Sequence, residues 1–215
     1  ENSKDFDDAF SIWITNDDTK FNIVSIYISN VSFWLDALDL WDSFSNRIST
    51  IYLPDRKRPM LPTVLSDALC SLTEGDIRFA LTLDLYVEKN TGKILLHKFV
   101  NTMIKVDKNL RYDTEEMKNY SEYNTLFQHI VLMNKKQKYV HNIKTSHEVV
   151  AYLMIVMNYM CALKLKTHKT GIYRSAKLNS SYQPPGNIDN DIQKFLKMWH
   201  SYGGKYCNYN ELESH

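Results

Sequence analysis

The chain has 215 residues, of which 44% are hydrophobic and 24% are charged. This is the composition of a folded globular protein of about one domain, and it excludes a disordered, collagen-like or low-complexity chain. The 26 basic and 25 acidic residues nearly cancel to a net charge of +1, so any attraction for nucleic acid must come from local patches.

The first half of the chain is predicted to form a sheet carrying short helices. Residues 11–32 alternate like two strands around a turn at Asn16-Asp17-Asp18, which indicates a hairpin. Residues 33–49 have helical spacing, and prolines at 54, 59 and 62 exclude regular structure until a short helix over about residues 63–71. Period-two alternation returns from 77 to 106 with a turn at Asn90-Thr91-Gly92, predicting a long second hairpin.

The second half of the chain is predicted to be mainly helical from Asp113 onward. Thr145 and Glu148 have the capping-box spacing, and they open a helix that runs to about Lys166. A short strand over 171–174 and a helix over 188–200 follow. Together the elements predict an α+β fold, a mixed and mostly antiparallel sheet packed with helices. No repeat or linker divides the chain, so we treat residues 1–215 as one domain.

Cysteine usage and the lack of a targeting segment bear on location. Cys70, Cys161 and Cys207 are odd in number and widely spaced, which favours a reducing compartment over a disulfide framework or a zinc ribbon. The longest apolar run, residues 151–163, is shorter than the ~20 residues that span a bilayer. No signal peptide is visible, so we expect a cytoplasmic protein with no membrane partner. The lack of an initiator Met indicates a piece of something longer.

Three carboxylates crowd into four residues near the start of the chain: Asp5, Asp7 and Asp8. Their mutual repulsion raises carboxylate pKa values unless a cation relieves it, and Mg²⁺ takes oxygen ligands of this kind while keeping waters for a phosphate substrate. The spacing suits a metal-bound phosphodiester site, with Mg²⁺ or alternatively Mn²⁺. A solvated acidic terminus or a helix cap stays open as the plainer interpretation.

Residues 52–62, YLPDRKRPMLP, place Tyr52 beside Arg56, Lys57 and Arg58 in a loop framed by prolines. Cations follow the phosphates of single-stranded nucleic acid, and an aromatic ring stacks on any base for ~1 to 3 kcal/mol. The pattern predicts RNA contact, while a solvated loop with a core tyrosine stays open.

The remaining motifs give weaker support for a function. His147-Glu148 begins like the zinc-protease signature, but Ala151 stands where the second histidine belongs, so we reject that motif. The seven histidines are scattered, which is typical of surface or hydrogen-bonded core residues.

A longer stretch identifies a family resemblance. Residues 51–72, IYLPDRKRPMLPTVLSDALCSL, closely resemble the signature of the RNB domain, the catalytic domain of the ribonuclease II and ribonuclease R family. Residues 5–9, DFDDA, are similar to the Asp-rich motif of that family, and residues 24–35 to a strand and the element after it. The long hairpin, the helix with Asn158 and the strand near 171 follow in family order. We therefore expect the N-terminal half of an RNB-like domain.

The resemblance implies a processive, hydrolytic 3′-to-5′ exoribonuclease that acts on the 3′ end of single-stranded RNA with Mg²⁺ and releases nucleoside monophosphates. It implies that Asp5 and Asp8 anchor the metal and that Asp7 is most directly tied to catalysis. Tyr52 matches the family tyrosine that stacks on RNA. Tyr112 matches a second tyrosine that orients the 3′-terminal nucleotides.

The chain also departs from the family pattern. A further Asp of the motif would lie ahead of Glu1, and nothing after Gly171 resembles the later half of the domain, which supplies a catalytic arginine. Ala151 and Tyr152 stand where acidic residues are frequent, and Asn30 stands in place of a frequent Asp.

Because catalytic groups act as a unit, these departures predict a chain that is nearly inactive on its own. The alternative, from a different class, is a catalytically incomplete RNA-binding or interaction module derived from the enzyme. A domain remnant with no RNA role is the third interpretation.

Overall fold

The computed structural model describes residues 6–44, 49–176, 183–201 and 204–212. They divide into two compact units, one ending at Ile155 and one beginning at Val156. The first unit contains β1 Asp8–Trp13, β2 Phe21–Ser29, α1 Val31–Ala37, α2 Trp41–Phe44, β3 Ile51–Tyr52, β4 Lys57–Arg58, a π-helix Val64–Cys70, β5 Ile77–Glu88, β6 Ile94–Lys105, α3 Glu115–Asn119 and α4 Ser121–Lys136. Helix α5 Ser146–Thr167 crosses the division, and β7 Ile172–Ala176, α6 Asn190–Ser201, β8 Gly204–Asn208 and α7 Tyr209–Leu212 follow.

A four-stranded antiparallel sheet of order β1-β2-β5-β6 forms the centre of the first unit. Its register places Ile26 of β2 opposite Leu83 of β5. One face carries the apolar core, to which Val24, Ile26, Leu83, Leu85 and Val87 contribute side chains with no exposed surface. Both predicted hairpins are thereby confirmed, because period-two alternation directs one set of side chains inward.

Helix α4 packs on this apolar face. Asn22 of β2 lies on the core side, and its Nδ2 is 2.7 Å from Nε2 of His129 in α4. The Asn22 Oδ1 accepts a hydrogen bond of 3.1 Å from the Thr15 N–H. Nδ2 therefore donates and His129 Nε2 accepts. Leu126, Ile130 and Met133 of α4 are buried as well, as expected for a helix with one apolar face against a sheet.

A smaller apolar cluster forms beside the sheet, where Leu35, Leu61 and Leu65 are buried together. Helix α1 contributes Leu35 and is capped by Asn30, whose Oδ1 accepts from the Phe33 N–H at 3.2 Å. Asn30 Nδ2 also donates to Asn101 Oδ1 at 3.2 Å. The residue that departs from the family pattern at position 30 thus has a structural role as an N-cap.

The proline-rich segment differs from its prediction. The short strands β3 and β4 pair as an antiparallel ribbon within it, closed by a 2.9 Å hydrogen bond from the Leu53 N–H to the Arg56 carbonyl. Pro54 lies in the turn, where no N–H donor is needed, so it is compatible with the ribbon. The helix predicted over residues 63–71 is confirmed in place, but over Val64–Cys70 it is a π-helix.

In the second unit, β7 and β8 pair antiparallel, with Tyr173 opposite Cys207 and both side chains buried. The predicted strand near 171–174 is confirmed as β7, and the helix predicted over 188–200 as α6. Strand β8 and helix α7 were not predicted. Their five and four residues carry too little periodicity to be recognised locally, because β8 depends on pairing with a strand far away in the sequence.

Helix α5 begins where the capping-box pattern places it. The Glu148 carboxylate accepts the Thr145 N–H at 2.8 Å, which is the predicted reach back to the N-cap. The Thr145 hydroxyl differs from the pattern, because it bonds to the same carboxylate at 3.2 Å. The buried side chains of the helix include Val149, Tyr152, Leu153, Val156, Met157 and Met160.

By length and composition, α5 is long and apolar enough to cross a membrane, with 22 residues. The apolar run over residues 151–163 underestimates this helix, because the helix extends past the run at both ends. One such helix is weak evidence for a membrane, because the core helix of a soluble protein meets the same criterion. About a third of the apolar window, 33%, is buried, including Tyr152, Leu153 and Val156. That a membrane is not a partner stays a prediction.

Candidate functional site

One cavity of about 850 Å³ brings together residues from distant parts of the first unit. Asp8 enters it from the start of edge strand β1, and Tyr112 from the loop between β6 and α3. Phe10 and Tyr27 line the cavity from the sheet, and Tyr123 and Val149 line it from helices α4 and α5. The cavity thus places a carboxylate and a large aromatic ring in one concave space, which is the arrangement typical of a ligand site.

The pKa values of both groups reflect this proximity. Burial raises the pKa of Asp8 above its usual value, and the neighbouring charge of Asp7 raises it further. Burial also raises the pKa of Tyr112, with a smaller contribution from the charge of Asp8. Asp8 is therefore a carboxylate whose negative charge is poorly compensated by the protein, and a bound cation would compensate it.

Asp7 is exposed and lies just ahead of β1. Its carbonyl accepts a 2.9 Å hydrogen bond from the Ser29 N–H, which anchors the backbone to β2. The pKa of the Cys70 thiol is raised by burial and, more weakly, by the charge of Asp7. Asp7 is therefore near both Asp8 and the end of the π-helix. Asp5 lies outside the described residues.

Tyr112 is held by a small polar cluster that the sequence does not reveal. The ring of His147 stacks on it, with centroids 4.0 Å apart and the planes 18° from parallel. Asp113, the next residue along the chain, accepts hydrogen bonds from the N–H and hydroxyl of Ser146 at 2.9 and 2.7 Å. In the sequence, His147 matches only the rejected zinc signature, and no spacing links it to position 112.

The predicted RNA-contacting loop forms the exposed β3-β4 ribbon. The Tyr52 side chain is 74% exposed, so the interpretation as a core tyrosine does not apply. The Arg56 guanidinium is 3.8 Å from the Asp55 carboxylate, in an exposed pair. Tyr52, Arg56 and Arg58 are not among the described residues that line the Asp8 cavity.

Known proteins resemble this chain in sequence. The sequence model of the RNB domain matches residues 1–125. Ribonuclease R of Ureaplasma parvum is 33% identical over 135 residues, covering 62% of this chain and 18% of that protein. Exoribonuclease 2 of Vibrio vulnificus is 40% identical over 91 residues, covering 42% and 13%. The chain spans less than a fifth of the length of these curated relatives.

Solved structures share the fold. Mycoplasma genitalium RNase R in complex with double-stranded RNA superposes with a TM-score of 0.64 at 19% identity, over 91% of this chain and 44% of that chain. The Dss1 exoribonuclease of Candida glabrata, in an active-site mutant, gives 0.66 at 16% over 94% and 32%. Yeast Ssd1, a pseudonuclease, gives 0.64 at 12% over 88% and 29%.

The antiparallel sheet with its helical cover and the aspartate at its cavity define an α+β protein with the ribonuclease R fold. The chain belongs to the RNB domain family. The family resemblance and the fold class predicted from the sequence are both confirmed.

Proposed function

We propose that residues 1–215 form the N-terminal half of an RNB catalytic domain and act in a hydrolytic 3′-to-5′ exoribonuclease that uses Mg²⁺. The observation that carries this proposal is the meeting of Asp8 and Tyr112 at one cavity, although they are far apart in the sequence. A carboxylate for metal binding and a ring for stacking on a nucleotide are the two functions that degradation from an RNA end requires. The names of the relatives support the same activity.

The carboxylates fit Mg²⁺ in their chemistry. Asp8 is half-buried with a raised pKa, and a hard divalent cation with oxygen ligands would relieve its charge. Over the ranges that the structure describes, no group of three His, Cys, Asp or Glu could hold a metal. By the family resemblance, Asp5 and Asp8 would anchor the metal and Asp7 would take part most directly in catalysis, with waters completing the coordination of Mg²⁺. When bound, Mg²⁺ would activate water and stabilise the charge on the leaving oxygen.

The remaining roles follow from exposure and charge. Tyr112 borders the cavity and would stack on the nucleotide at the 3′ end of single-stranded RNA. Tyr52, Arg56 and Arg58 lie on the exposed ribbon and would contact RNA further from that end, with the cations on phosphates and the ring on a base. In the family pattern a catalytic arginine comes from the later half of the domain, so we propose that the activity of residues 1–215 by themselves is low.

The experiment that tests this proposal is a single-turnover assay with excess protein, Mg²⁺ and an RNA of unstructured sequence labelled at its 5′ end. We expect the RNA to be shortened slowly from its 3′ end, with the removed residues released as nucleoside monophosphates. Asp7→Asn should lower the rate at least ~100-fold, because removing one member of a catalytic set costs orders of magnitude. EDTA and an RNA with a blocked 3′ end are the controls. Equal shortening by wild type and Asp7→Asn would refute the assignment.

The second candidate function is RNA binding without catalysis. Two observations favour it: the fold likeness to a pseudonuclease, and the complete burial of Tyr152 at a position where the family often carries an acid. In that case the same assay gives no shortening, while fluorescence anisotropy shows RNA binding that neither EDTA nor Asp7→Asn changes.

A further inference from the structure

We propose that His147 is a positioning residue for Tyr112, and that the pair forms a two-ring platform for the 3′-terminal nucleoside of RNA. This inference rests on the proposed function, and it adds a residue to which no role has been attached. His147 acts through Tyr112 and need not touch the RNA.

The stacking geometry lets His147 restrain the ring of Tyr112. Ring centroids 4.0 Å apart and planes only 18° from parallel place the imidazole directly against one face of the phenol ring. A tyrosine in a loop would otherwise rotate about its side-chain bonds. An adjacent ring that covers one face restricts that rotation and fixes the plane of the phenol.

His147 is itself held in place. Its Nδ1 is 3.3 Å from the Asp113 carboxylate, and Asp113 is fixed by Ser146, which donates to it twice. The Asp113 N–H returns a 3.0 Å hydrogen bond to the Ser146 hydroxyl. Asp113 has a φ of +55°, a backbone conformation that costs a non-glycine residue energy and that these bonds stabilise. The first turn of α5 is thus tied to the loop that carries Tyr112.

Tyr112 keeps accessible surface for a ligand beside the Asp8 cavity. Tyr112 remains 47% exposed although His147 covers one face. Because His147 covers one face of the ring, the opposite face is the one left for a stacked ligand. Tyr112 also borders the cavity that contains Asp8. A base stacked on that face would have its sugar-phosphate next to the carboxylate. Stacking tolerates every base, so the class of ligand is any 3′-terminal nucleoside.

The first measurement tests the pair without RNA. In a two-dimensional NMR spectrum, the ring current of Tyr112 should shift the His147 Cε1–H signal upfield in the wild type. Tyr112→Leu should remove this shift. His97, on the exposed side of β6, is the matched reference, because its signal should not respond to that substitution. A His147 signal that is the same in both proteins would overturn the proposed contact.

The second measurement uses a pentanucleotide RNA with 2-aminopurine as its 3′ base, whose fluorescence is quenched by stacking, in the presence of Ca²⁺. We expect wild-type binding with strong quenching. His147→Ala should reduce the quenching and weaken binding about threefold to tenfold, the scale of one base stack. His147→Phe keeps a ring against Tyr112 and should restore quenching, whereas a merely structural loss of the Asp113 contact would not be rescued. His97→Ala should match the wild type.

The outcomes separate the two proposals. If wild type binds and quenches but His147→Ala does so equally, the positioning role is overturned while the proposed function stands. If the NMR shift is present but wild type binds no RNA, the proposed function is wrong and the platform has no RNA role. His147 is 67% exposed on its side chain, so the alanine variant is expected to fold, which its thermal unfolding checks.

Discussion

Asp8 is half-buried at the start of an edge strand, beside a second carboxylate. Its pKa is raised first by burial and then by the charge of Asp7, with a backbone hydrogen bond acting in the opposite direction. The folded protein therefore binds a proton at Asp8 more tightly than the unfolded chain does. Its stabilising contribution is complete below the usual pKa of 3.8 and is lost as the pH rises through the folded pKa.

Asp8→Asn should therefore raise the stability of the metal-free protein at pH 7, because the amide has no charge to desolvate. The gain should shrink as the pH falls toward 3.8. Urea unfolding at a series of pH values measures it. Asp18→Asn, in the exposed turn after β1, removes an equal charge and should stay within about 0.5 kcal/mol of wild type throughout. A gain from Asp8→Asn that does not depend on pH would contradict the argument.

Tyr152 presents a different problem at the residue scale, because its ring is completely buried in α5 and its hydroxyl has no hydrogen-bond partner among the described residues. Burial also raises the pKa of this hydroxyl, with a smaller contribution from Tyr139. An unpaired buried polar group destabilises a folded protein by ~1 to 3 kcal/mol.

Tyr152→Phe should accordingly stabilise the protein by about 1 kcal/mol, since it removes the unpaired hydroxyl and keeps the ring. Tyr27→Phe is the matched control, because the Tyr27 hydroxyl lies 2.8 Å from the Ser11 hydroxyl. That change should cost about 0.5 to 1 kcal/mol. Chemical denaturation measures whether each variant gains or loses free energy of unfolding. A loss of stability in Tyr152→Phe would show that the hydroxyl has a partner.

At the scale of elements, the β5-β6 hairpin is tied to helix α4 through its turn. Gly92 has a φ of +70°, and a Cβ there would lie 2.5 Å from the Leu132 carbonyl carbon and 2.6 Å from the Met133 nitrogen. The hairpin tip thus packs directly on the backbone of α4. This close approach fixes the position of α4 over the sheet, and α4 forms one wall of the Asp8 cavity through Tyr123.

Gly92→Ala should destabilise the protein by about 2 to 5 kcal/mol, because ~1 to 2 kcal/mol from the left-handed backbone adds to ~1 to 3 kcal/mol of overpacking. Gly75 has a φ of +81° but no atom within 4 Å of its Cβ position. Gly75→Ala should therefore show only the backbone cost. Urea unfolding compares the two. Equal costs would mean that the close packing against α4 contributes nothing.

At the scale of the whole molecule, charge is nearly balanced, with a net charge of +1. Long-range attraction of RNA is therefore weak, and binding depends on local cations. The β3-β4 ribbon supplies Arg56 and Arg58, both exposed. Lys57 differs from them because its amine is 3.8 Å from the Asp67 carboxylate of the π-helix and is half-buried.

Replacing Arg56 and Arg58 together by alanine should reduce the slope of log affinity against log salt by about 1.4, since each phosphate contact to a single strand contributes ~0.7. Affinity at low salt should fall for every RNA sequence alike. The matched control is Lys135→Ala with Lys136→Ala, two exposed cations at the end of α4, which should leave the slope unchanged. Anisotropy titrations between 50 and 200 mM salt, roughly the range over which such slopes are resolved, measure it.

The sequence by itself determined the elements whose periodicity is local. The hairpins β1-β2 and β5-β6, the helix α5 and its Glu148 cap could all be predicted, because alternation and capping depend on residues a few positions apart. The family could be recognised for a similar reason, since its signature over residues 51–72 is one continuous stretch.

Only the tertiary structure decided which residues meet. It brought Asp8 to Tyr112, placed His147 on the ring of Tyr112 and left Tyr52 exposed on the β3-β4 ribbon. It also paired β8 with β7 across the second unit. These contacts join residues that are distant in the chain, and neither spacing nor composition encodes such proximity. They arise because the sheet and its helices bury their apolar faces together and carry the attached loops with them.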